Sequence, residues 1–99
     1  LCAIMAAADE MGIREELEKQ WSRGGSDFTE RTHNRLRRVT AKAWRFSGEM
    51  EEIAATMRAS GLPDGFHLAA AEIYRRMTHF KNSESLPDIN QVLESLKSS

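Results

Sequence analysis

The sequence predicts an all-α protein, a compact antiparallel bundle of five to six helices in one domain over residues 1–99. Three observations carry this. Apolar residues recur three or four apart along most of the chain, and no segment alternates with the period of two that a strand requires. Alanine, methionine, leucine and glutamate are plentiful while valine and isoleucine are few, a balance that favours helix over sheet. Glycines stand just beyond several periodic runs, where helices stop.

The first helix carries Leu1, Ile4, Met5, Ala8 and Met11 as its apolar pattern and ends at Gly12. A second follows with Ile13, Leu17 and Trp21 on one face, closed by the Ser-Arg-Gly-Gly-Ser loop at 22–26. Ser26 or Asp27 is placed to cap the third helix, with Glu30 at capping-box spacing from Asp27. That helix is mostly basic, with a thin stripe of Phe28, Leu36 and Val39, and the β-branched pair Val39-Thr40 predicts a break.

The centre of the chain is residues 42–63. Trp44, Met50, Ile53, Ala54 and Met57 form its predicted buried face, Arg45 and Glu49 pair on the wet face, and Gly61 and Pro63 close it. A turn at 62–65 leads to a fifth helix over 66–80, with Phe66, Ala69, Ala70, Ile73, Met77 and Phe80 inward and Tyr74 at the edge. The polar stretch 81–85 is a linker. Pro87 suits the first turn of a last helix that buries Ile89, Val92, Leu93 and Leu96.

Ninety-nine residues with 29% charged and 40% hydrophobic side chains fit one soluble domain, neither disordered nor membrane-embedded. The first run is not a signal peptide, because it lacks a cationic leader and Asp9 and Glu10 interrupt it. Its opening inside a helical pattern, without an initiator methionine, predicts a piece of a longer chain. The single cysteine, Cys2, permits no internal disulfide, so a cytoplasmic location is expected, with Cys2 as a small buried hydrophobe.

The residues that carry charge chemistry are Arg31, Arg35, Arg38, Lys42 and Arg45, at steps of four and three, with His33 and Arg37 beside them. On a continuous helix they form one basic stripe. Three readings stand: a solvated face balanced by Glu49, Glu51 and Glu52, a cleft for a small anion, or a contact for nucleic-acid backbone. The net charge of −1 weighs against a chain built for a polyanion. His33, His67 and His79 have no metal-site spacing, and no glycine-rich phosphate loop or nucleophile elbow occurs. No catalytic set is complete, so any chemistry must be shared with another piece of protein.

Residues 42–77, KAWRFSGEMEEIAATMRASGLPDGFHLAAAEIYRRM, resemble the C-terminal helical domain of 6-phosphogluconate dehydrogenase-like, or β-hydroxyacid dehydrogenase-like, oxidoreductases, and more closely the DUF1932 branch. The resemblance rests on GEMEEIA at 48–54, GLP at 61–63 and AAAEIYRRM at 69–77, and LCAIMAAADEMGI at 1–13 resembles the lower interdomain helix of that superfamily. It covers about residues 1–80. It implies an N-terminal Rossmann domain of the same chain, lying outside this sequence, that binds NAD or NADP. The helical domain then closes the cleft on a small acidic hydroxy substrate and supplies a homodimer interface. The fragment alone is expected to bind no cofactor and to have no turnover. The family's catalytic lysine lies upstream of Leu1. The lysine–aspartate pair that opens the family's central helix reads Gly48-Glu49 here, so the acid is kept in kind and the lysine is missing. That leaves Lys42, Arg45 and Glu49 as the substrate-cleft candidates. The alternative is a free-standing helical interaction module that binds nucleic acid through the basic stripe.

Overall fold

A computed structural model describes residues 1–83 and 85–97. It is all-α, with no strand among the described residues. The helices are α1 (Cys2–Glu10), α2 (Arg14–Trp21), α3 (Phe28–Val39), α4 (Ala43–Ala59), α5 (Gly65–Arg75) and α6 (Ile89–Lys97). Short 3₁₀ turns sit at Arg23–Gly25, Thr40–Lys42 and Thr78–Phe80.

The glycine stops work as the sequence predicts. Gly12 and Gly61 have φ of 76° and 77°. After α1, Ile13 N–H donates to Ala8 O and Gly12 N–H to Asp9 O; after α4, Leu62 N–H donates to Met57 O and Gly61 N–H to Arg58 O. Each pair is the double bond of a Schellman cap, which satisfies carbonyls the helix leaves open. The predicted break also forms. Thr40 is buried and its hydroxyl donates to Arg37 O at 2.6 Å, drawing the chain into a 3₁₀ turn between α3 and α4.

Two helices begin differently from expectation. At α3, Phe28 N–H donates to Ser26 Oγ, while the Asp27 carboxylate is taken by Arg31 at 2.8 Å, so neither Asp27 nor Glu30 closes a capping box. At α6, Pro87 lies before the helix and Asp88 is the cap. Asp88 Oδ1 accepts from Gln91 N–H at 2.8 Å and Gln91 Oε1 accepts from Asp88 N–H at 2.9 Å, a reciprocal capping box.

The core gathers Met5 and Ala6 of α1, Leu36 of α3, Ala43 of α4, Met77, and Val92, Leu93 and Leu96 of α6. The α6 face is as predicted. The terminal helices meet at their C-terminal ends, where Lys97 reaches Asp9, and Arg14 at the start of α2 donates from Nη1 to Asn90 Oδ1 at 3.1 Å. The most extensive helix contact is the α4–α5 hairpin. Its cross-pairs, Arg58 with Asp64, Ser47 with Ala71 and Phe46 with Tyr74, open outward from the turn as an antiparallel pair must. Arg76 ties this hairpin to α6 by donating to Leu96 O at 2.7 Å.

Within that hairpin the predicted inward faces need correction. The buried residues of α4 are Ala43, Ser47 and Ala54, and Ser47 Oγ donates to Ala71 O at 3.3 Å. A crossing close enough for a hydroxyl to reach the neighbouring backbone has no room for an indole. Trp44 is therefore 46% exposed, roofed by Lys81 with Nζ 3.9 Å from the ring centre. For the same reason Ala71 is buried in α5, while Phe66 is 78% exposed and Ala69 is exposed. In α1, Met5, Ala6 and Ala8 face the core, whereas Leu1, Ile4 and Met11 stay on the surface. α5 ends at Arg75, short of Phe80. The Thr78 hydroxyl donates to Arg75 O and the last bonds tighten to 3₁₀ type. The linker at 81–85 includes residue 84, which lies outside the described residues.

Candidate functional site

The exposed face of α3 and the 3₁₀ turn after it form a groove of about 630 Å³ lined by Arg31, Asn34, Arg35, Arg38, Val39 and Lys42. Steps of four, three and four put these cations on one helical face, and the turn at Thr40–Lys42 keeps Lys42 on it. The stripe goes no further. Lys42 itself leaves helical geometry, with φ of −113° and ψ of 2°, and α4 starts there as a new helix. Arg45 leaves the groove and instead pairs with Glu49 at 3.5 Å, on a half-exposed face of α4, its guanidinium 5.3 Å from the Phe46 ring. Of the three cleft candidates, Lys42 lines the groove, and Arg45 and Glu49 stand together outside it.

The charge in the groove is largely uncompensated. Arg31 is neutralised by Asp27 at 2.8 Å. Arg35, Arg38 and Lys42 make no ion pair among the described residues, although most other cations of the chain do. Three unpaired ones converging on one concavity suit a carboxylate or phosphate, bound by charge-assisted hydrogen bonds. The lining groups are guanidinium, ammonium, amide and alkyl. The polar groups among them donate hydrogen bonds and most carry positive charge, a chemistry that suits an anion.

His33 and Arg37, adjacent to the stripe in sequence, belong to a second polar groove of about 610 Å³ that also includes Ser26, Glu30 and Asp88. There His33 Nε2 bonds Glu18 Oε2 at 2.7 Å, and Arg37 Nε donates to Pro87 O at 2.8 Å. Both serve to hold α2, α3 and α6 together. His67 Nδ1 is buried without a partner among the described residues, and no group of three His, Cys, Asp or Glu there could hold a metal.

A third cavity has no counterpart among the sequence-based expectations. This cleft of about 560 Å³ is lined by Leu1, Cys2, Arg35, Leu36, Val39, Phe46 and Tyr74. Phe46 and Tyr74 stand 5.4 Å apart at 55°. Burial pushes the Cys2 thiol above its ordinary value, against the opposing pull of the N-terminal charge, so it stays protonated at neutral pH. Arg35 and Val39 line both this cleft and the basic groove, so the two are neighbours. Its walls come from α1, α3, α4 and α5, and no local spacing announces it.

No described helix is long and apolar enough to cross a membrane. The family profile described as domain of unknown function DUF1932 matches residues 8–77. No curated protein and no solved structure gives a significant match.

Proposed function

The chain belongs to the DUF1932 family, and from that premise we propose that it is the substrate-side domain of an NAD(P)-dependent dehydrogenase acting on a small acidic hydroxy compound. The observation that carries this is the set of cations Arg35, Arg38 and Lys42, without an ion pair among the described residues, on one groove. A dinucleotide bound outside the strand ends of a Rossmann domain needs a second domain to wall the substrate. A wall with free guanidinium and ammonium groups holds an acidic substrate in place. The catalytic lysine and the NAD or NADP site are then supplied by the N-terminal part of the parent protein. Lys42, nearly two turns earlier, supplies a cation to the cleft where the lysine before Glu49 is missing. The apolar side chains on the surface of α1 and α5, Ile4, Met11 and Phe66, support a homodimer contact.

The test is in two steps. The coding sequence upstream of Leu1 is read for a glycine-rich strand–turn–helix, and the full protein is assayed for NADPH-dependent turnover with hydroxy acids. The expected result is turnover by the full protein, weakened at least tenfold in KM by Arg38→Ala with Lys42→Ala. Hydride transfer by residues 1–99 alone, or an intact native mass near that of 99 residues, would overturn it. The same cations support a second reading, contact with a nucleic-acid backbone. That reading requires a gel shift at low salt that weakens steeply as salt is added.

A further inference from the structure

We propose that the basic groove and the apolar cleft beside it are two halves of one site, whose ligand is an organic anion with an aromatic or branched apolar body. The inference builds on the reading of the basic groove as the substrate's anion subsite and names the class of substrate it takes.

Arg35 and Val39 line both cavities. On one side of Arg35 lie Arg38, Lys42 and Asn34, all polar. On the other lie Cys2, Leu36, Phe46 and Tyr74, which offer aliphatic and aromatic surface and a thiol kept neutral by burial. A sugar phosphate or a polyhydroxy acid carries hydroxyls along its whole length. Placing them against Leu36, Val39 and Phe46 strips their water and returns no hydrogen bond. A flat apolar body loses nothing there and gains contact with the Phe46 and Tyr74 rings. Small-molecule sites commonly have this composition, an apolar lining with few charged groups that fix orientation. Arg35 has no carboxylate partner among the described residues, so its guanidinium is free to take the carboxylate or phosphate at the junction.

The experiment is a set of titrations of the protein with phenyl phosphate, inorganic phosphate, benzoate and acetate, followed by amide chemical shifts. Phenyl phosphate is expected to bind at least about tenfold tighter than inorganic phosphate, or benzoate than acetate, about 1.4 kcal/mol. The pair that shows the preference identifies the headgroup. Shifts are expected at Cys2, Val39, Phe46 and Tyr74 as well as at Arg38 and Lys42. Arg35→Gln, a change on the exposed side of α3, is expected to weaken the aryl anion at least tenfold while the amide spectrum stays folded. Equal binding of aryl and simple anions, with shifts confined to Arg38 and Lys42, would overturn the composite site and leave the anion groove standing. Aryl binding that survives Arg35→Gln would also overturn it. Absence of binding by all four anions would remove the groove reading and this one together.

Discussion

Lys97, in the last turn of α6, donates to the carboxylate of Asp9 in the last turn of α1, joining residues 88 apart in sequence. Glu94 and Glu10 lie within 4 Å of the same ammonium, and Arg14 reaches Asp9 from the other side at 3.4 Å. This polar cluster ties together the C-terminal ends of the two terminal helices.

The cluster makes stability depend on acid. The Lys97 hydrogen bond, helped by its charge and that of Arg14, holds the Asp9 carboxyl below the usual carboxylate range. Glu72 is held down to about 2, first by its bonds to Arg75 and then by that to Arg76. A carboxyl depressed in the folded state stabilises the protein above its unfolded value, about 4, and the contribution is lost as pH falls through the folded value. Asp9→Asn and Glu72→Gln are therefore expected to lower Tm at pH 7 and to converge on the parent protein near pH 2. Thermal unfolding from pH 2 to 7 checks this. A difference that persists undiminished at pH 2 would contradict it.

Two glycine substitutions are expected to act in opposite directions. An added Cβ meets nothing within 4 Å at Gly48 or Gly61, so only backbone conformation distinguishes them. Gly48 lies inside α4 without a positive φ, whereas Gly61 has φ of 77°. Gly48→Ala should stabilise by about 0.5–1 kcal/mol and Gly61→Ala destabilise by about 1 kcal/mol, measured by urea unfolding.

The capping box of α6 supplies a third prediction. Asp88→Ala removes the acceptor for Gln91 N–H and should cost about 1 kcal/mol in the same measurement. Asp88→Ser restores most of that loss if the cap is its cause.

At the α4–α5 crossing, Ser47 is buried against the Ala71 carbonyl. Ser47→Leu forces the helices apart and should cost about 1–3 kcal/mol. Ser47→Ala, which keeps the close approach and loses one hydrogen bond, should cost about 1 kcal/mol or less.

Helix positions were legible in the sequence because the 3.6-residue period and the stops at Gly12 and Gly61 are local signals. Which face turns inward was less legible. Trp44 and Phe66 are large and apolar and read as core, yet the α4–α5 crossing selects small side chains and leaves both outside. The spacing of Asp88 and Gln91 is visible in the sequence, but it reads as a cap only once Pro87 is placed before the helix. The basic stripe was legible from Arg31 to Lys42 and failed at Arg45, because the backbone leaves helical geometry at Lys42 and α4 starts there as a new helix. The apolar cleft was not legible at all, since Cys2, Val39, Phe46 and Tyr74 come together only when four helices pack.

The intimate packing between α4 and α5 joins neighbours in sequence, across the turn at 60–64, while α1 and α6 meet only by closing nearly the whole chain. Loop-closure entropy rises with the length closed, and contacts near in sequence form sooner. The hairpin is thus the segment able to assemble first during folding, with Ser47 against Ala71 among its earliest native contacts. The joining of Asp9 to Lys97, which closes nearly the whole chain, is then expected among the last steps.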